Sequence, residues 1–139
     1  MIAAREPRLV ITQHPTRRDH LHGAWWPYST DIDLELAPML AAASGRFRAV
    51  LGVTLNREEW PDARASGQLA GVGRTKLSWY GLAEPHLVVL HCSDQRRIAL
   101  LLLPPDTPEQ VALTATLMAS TPGNGLTTIE TLARAAIDG

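Results

Sequence analysis

Leu87-Val88-Val89-Leu90-His91 and Ile98-Ala99-Leu100-Leu101-Leu102-Leu103, joined through the polar turn Ser93-Asp94-Gln95, decide the fold of this chain. Two short apolar runs on either side of turn residues form a β-hairpin, because each run is strand length and the polar residues between them reverse the chain. The second run is apolar at every position, so both of its faces must be buried and it belongs at the centre of a sheet.

Downstream of the hairpin the period changes from two to that of a helix. Thr107, Pro108 and Gln110 supply the cap, first-turn proline and third-position partner of a helix running to about Ser120. Thr127 and Glu130 repeat the capping pattern ahead of Ile129, Leu132, Ala133, Ala136 and Ile137, which share one helical face. Upstream lie further strands. Phe47, Ala49, Leu51, Val53 and Leu55 alternate as in a half-buried strand, as do Thr75, Leu77 and Trp79. Arg8 to Thr12 is a short strand ending at the His14-Pro15 turn, and Leu21, Gly23 and Trp25 lead into another that Pro27 stops.

Thr30 and Asp33 match a capping box for a helix over 31–44, with Pro38 kinking it or delaying its start and Gly45 closing it. The polar, glycine-rich stretch 56–73 reads as an exposed crossing. Strands followed by helices argue for an α+β domain over 8–139, behind a loose arm at 1–7: a mainly antiparallel sheet of about five or six strands with two or three helices packed on it.

Composition narrows the function. The chain has 139 residues, 45% hydrophobic and 19% charged, the profile of one globular domain. Thirteen Lys and Arg against fourteen Asp and Glu leave a net charge of −1, without the basic excess of a nucleic-acid binder. The longest apolar run falls far short of a membrane span and no signal peptide leads the chain, so no membrane association is expected. Cys92 is the single cysteine, which excludes an internal disulfide and points to a reducing, cytoplasmic setting.

The residues that invite a functional reading are aromatic. Gly23-Ala24-Trp25-Trp26-Pro27-Tyr28-Ser29-Thr30 contains two of the four tryptophans. Neighbours on a strand face opposite sides, so one of Trp25 and Trp26 can enter the core while the other covers an edge, a pocket or a subunit contact. Trp25, Trp26, Tyr28, Trp60, Trp79, Tyr80 and His86 form the candidate binding surface, set beside prolines and turns at strand ends. A small molecule or a protein partner is the expected ligand, together with self-association. No cofactor is expected. Gly71-Val72-Gly73-Arg74-Thr75-Lys76 lacks the spacing of a phosphate loop.

Catalytic readings are weaker. His20 and His22 could chelate a metal with His86 or Asp31, which gives the rival reading of a metal-dependent or hydrolytic enzyme built on His20, His22, Asp31 and His86. No H-E-x-x-H spacing or cysteine cluster supports it. His91 and Cys92 face opposite ways on a strand and cannot act as base and nucleophile, so Cys92 is a core residue. Ser29 lacks a nucleophile elbow. Arg17-Arg18 and Arg96-Arg97 are basic pairs at loop or turn positions that could clamp a carboxylate or phosphate together, but solvated turns are the favoured reading.

Gly23-Ala24-Trp25-Trp26-Pro27 followed by Ser29 and Asp31 resembles the signature of an uncharacterised family of small actinobacterial proteins. Leu77-Ser78-Trp79-Tyr80, Glu84-Pro85-His86 and Leu103-Pro104-Pro105-Asp106-Thr107 resemble its later blocks, so the resemblance runs from Arg8 to Ser120. His22 and Tyr28 stand where that pattern usually carries Asp and Arg. The resemblance implies fold and boundaries; it implies no activity.

Overall fold

The computed structural model describes residues 6–44, 46, 49–62, 75–79 and 84–138. Six strands, β1 (Leu9–Ile11), β2 (Gly23–Trp25), β3 (Val50–Thr54), β4 (Lys76–Ser78), β5 (Leu87–Cys92) and β6 (Arg97–Leu102), form one sheet in the order β1-β2-β6-β5-β3-β4. The hairpin of β5 and β6 stands at its centre, as the apolar runs require. Its turn uses Gln95 at φ 68, with the Gln95 N–H donating to Cys92 O and the Cys92 N–H to Arg96 O. That is a three-residue loop whose last residue adopts the left-handed conformation.

The sheet is mixed. β2 runs parallel to β6 and β3 parallel to β4, while the remaining pairs are antiparallel. Helix α1 (Ile32–Ser44) covers one face, where Ile32, Leu36, Met39, Leu40 and Ala43 meet Val53, Val88, Leu90, Ile98 and Leu100. On the other face, α2 (Glu109–Ser120) and α3 (Thr128–Asp138) bring Ala112, Ala115, Ala119 and Ala135 against Leu87, Val89, Ala99 and Leu101. The small alanine surface of α2 lets that helix approach the sheet closely. No helix among the described residues is long and apolar enough to cross a membrane.

Four local expectations need correction. Alternation in β3 breaks at a β-bulge between Val50 and Gly52, so Val50 turns inward, Leu51 is exposed and Val53 is inward again. An extra residue in one strand shifts the facing of its neighbours, which a period-two reading cannot anticipate. Asp31, not Thr30, caps α1: its Oδ1 accepts the Asp33 N–H and its carbonyl those of Leu34 and Glu35. Helix α2 begins one residue beyond Pro108, and the Thr107 hydroxyl donates back to Pro104 O instead of capping. The start of the crossing after β3 is not an exposed loop, since Arg57–Glu59 form a 3-10 turn and Trp60 is fully buried. By contrast, Thr127 and Glu130 form the expected capping box, each side chain bonded to the other's backbone N–H.

Candidate functional site

Gly23 begins the aromatic block because no other residue fits there. Its φ is +154, and a Cβ would meet Val10 O at 1.9 Å. Trp25 and Trp26 then take opposite faces of the sheet, as their adjacency demands. Both faces are covered by helices, so neither ring is left over. Trp25 packs in the core beneath α1, 5.3 Å from Trp60 between ring centroids. Trp26 lies half-buried against the α2–α3 cluster and donates its indole N–H to Pro104 O at 3.0 Å. Arg8 lies over part of that ring's remaining surface, its Cζ 3.7 Å from the Trp26 ring centroid and 3.9 Å from that of Tyr28. The same guanidinium donates to Trp26 O and Pro27 O, and the Tyr28 hydroxyl donates to Glu6 O.

At the open end of the β5–β6 hairpin a small cleft of about 60 Å³ is walled by Pro27, Leu102, Leu103, Pro104 and Pro105. Glu59, Trp60 and His86 complete it with polar groups. The 3-10 turn positions Glu59 and Trp60, whose N–H groups donate to Asn56 O and Arg57 O. His86 occupies the left-handed region at φ 55, which histidine tolerates better than most residues. There its N–H donates to Glu59 Oε2, and its Nδ1 stands 3.5 Å from the same oxygen.

Two of the lining residues each hold a buried polar atom without a partner among the described residues. Glu59 Oε1 and Trp60 Nε1 are buried with no hydrogen-bond partner among the described residues. Burial pushes the Glu59 carboxyl above its ordinary range, against the opposing pull of the His86 N–H, the His86 ring and the Asn56 side chain. The other hydroxyls at the cleft are committed: Ser29 Oγ donates to Glu35 Oε2 and Thr30 Oγ1 to Asp62 Oδ2. The residues that line the apolar walls thus hold one buried acceptor and one buried donor. The arrangement offers no activated nucleophile among the described residues.

The other sequence candidates are placed apart. Trp79 lies against the α1-side core with Arg57 5.3 Å from its ring, and its buried Nε1 has no partner among the described residues. Tyr80 falls outside the described residues. His20, His22, Asp31 and His86 form no metal-ligating group, and no set of three or more such residues occurs among those described. His20 pairs with Glu84, Asp31 caps α1, and His22 is buried with both ring nitrogens occupied. The Ala99 N–H donates to His22 Nδ1 at 2.9 Å, so Nε2 carries the proton and donates to Thr16 O at 2.7 Å. Cys92 is core while His91 points outward to Thr54 Oγ1, the opposed facing that adjacency dictates.

Glu59, Arg8 and Glu84 escaped the reading of the sequence. Glu59 was hidden in a polar run, and its one signal was adjacency to Trp60-Pro61, an expensive aromatic within a stretch otherwise fit for solvent. A model of the "Family of unknown function (DUF5994)" matches residues 8–119. No curated protein and no solved structure matches the chain.

Proposed function

Because the chain belongs to this family of unknown function, which carries no activity to transfer, we propose its function from the cleft alone. The protein is a non-catalytic binding domain whose aromatic cleft at Glu59, Trp60 and His86 receives the polar end of a small molecule or of a partner's side chain. One observation carries this reading: a buried acceptor, Glu59 Oε1, and a buried donor, Trp60 Nε1, both without partners among the described residues, belong to residues lining one apolar cleft. Leaving such groups unpaired costs about 1–3 kcal/mol each, which a ligand able to donate and accept recovers. A primary amide meets that description. The cleft's size suits a terminal group and not a whole metabolite.

Self-association belongs to the same reading and is checked by native mass. The test of the site is an NMR titration with acetamide, following the backbone amides of Glu59 and His86. Saturable shifts are expected, weakened about tenfold in Trp60→Phe, which keeps an aromatic ring and removes the donor. Unsaturated, linear shifts, or equal affinity in Trp60→Phe, reject the assignment.

A further inference from the structure

A second, larger cavity lies at the opposite end of the β5–β6 hairpin from the aromatic cleft. It has a volume of about 450 Å³ and lies between the 15–19 loop and the hairpin turn, with Arg17, Arg96 and Arg97 in its lining. That volume falls within the usual range of small-molecule sites.

The fold builds this cavity by fixing both of its sides. His22, buried beneath it, holds the loop through Thr16 O and holds β6 through the Ala99 N–H. Asp19 secures the loop further, accepting the Gly123 N–H at one oxygen and the Thr16 hydroxyl at the other. On the turn side, Asp94 accepts the Arg96 N–H and pairs with the Arg96 guanidinium at 3.2 Å. The two carboxylates are thus engaged locally. The guanidiniums of Arg17 and Arg97 are neither hydrogen-bonded nor ion-paired among the described residues, and they arrive from segments about eighty positions apart in sequence. Three guanidiniums against two carboxylates leave the lining with one net positive charge. The charge of Arg97 is felt nearby, since burial and then Arg97 push His91 below its ordinary value.

We infer that this cavity binds a small molecule through a compact dianionic group, a phosphate monoester or paired carboxylates, held between Arg17 and Arg97. Planar guanidiniums favour such groups because two N–H donors can engage two oxygens at once. The site is independent of the aromatic cleft.

The experiment is an NMR titration of the full chain at fixed ionic strength, with inorganic phosphate and succinate as separate probes. Saturable shifts of the amides of Thr16–Asp19 and Asp94–Arg97 are expected with at least one probe. Phosphate alone identifies the ester as the natural group, succinate alone identifies paired carboxylates, and both together support the shared chemistry. Arg17→Gln and Arg97→Gln should each weaken binding about tenfold, while Arg18→Gln, outside the cavity, leaves it unchanged. Both arginines are exposed, so unchanged amide spectra elsewhere will show that the variants are folded. Shifts that grow linearly with both probes, or that persist in the Arg17→Gln/Arg97→Gln double variant, overturn the assignment.

Discussion

The indoles of Trp25 and Trp60 sit 5.3 Å apart between centroids, inclined by 32°, and each residue is only 1% exposed. Residues from β2 and from the 3-10 turn after β3 are therefore joined in one aromatic pair beneath α1. Aromatic pairs at this separation contribute about 0.5–1.5 kcal/mol beyond the area they bury. Trp25→Ala should cost about 3–5 kcal/mol. A double-mutant cycle with Trp60→Ala, read from urea midpoints, should return a favourable coupling. Additive losses would show that the two rings do not support one another.

Gly23 permits a close backbone approach between β1 and β2. It pairs with Ile11, and any Cβ would stand 1.9 Å from Val10 O, a backbone atom with no freedom to withdraw. Gly23→Ala should therefore separate β1 from β2 and cost about 4 kcal/mol, near the upper limit for single substitutions. Hydrogen exchange locates the damage: protection at the Thr12 and Trp26 amides, which donate across this pair to His22 O and Arg8 O, should fall before that of β5 and β6. Wild-type protection in the variant would contradict the clash.

Legibility in the sequence followed how local each determinant was. The central hairpin, the α3 capping box and the opposed facing of Trp25 and Trp26 depend on neighbouring residues, and all three could be read directly. The bulge at Leu51 could not, because the facing of Val50 depends on its register with Cys92 in a distant strand. Parallel pairing of β2 with β6 is equally non-local. The aromatic reading stopped at the facing of the two rings: opposed faces leave a ring free only on a sheet with one bare side, and this sheet has helices on both. The cleft was half legible, through Trp60 and His86. Its acid, Glu59, lies in a charged run whose burial comes from the walls contributed by Leu102 to Pro105.

Glu84 ties three segments together and should make stability sensitive to acid. Its Oε1 pairs with His20, while its Oε2 accepts the Thr128 N–H and hydroxyl at 3.0 and 3.1 Å. Burial opposes ionisation, yet the Thr128 bonds and His20 outweigh it and hold the carboxyl below its ordinary range. A depressed native pKa means that the unfolded chain binds more protons in this window. The stabilisation is complete above the unfolded value, about pH 4.3, and is lost as pH falls through the native one. Urea midpoints should decline over that interval in the wild type and decline less steeply in Glu84→Gln. Parallel curves would remove Glu84 from the account.

Glu59 should behave in the opposite sense. Its carboxyl is raised, chiefly by burial, so between the unfolded value near pH 4.3 and the higher native value the folded protein holds the extra proton. Stability then falls as pH rises across that window, and the cost stays constant above it. Glu59→Gln retains an oxygen to accept the His86 N–H while removing the buried charge. The variant should be more stable than the wild type at neutral pH and nearly equal to it well below pH 4, as measured by urea midpoints at both pH values. The same change should weaken acetamide binding, because the amide nitrogen replaces an acceptor with a donor. Greater stability with weaker binding is the pattern of a group retained for recognition at the fold's expense. Lower stability at neutral pH would mean that Glu59 serves the fold.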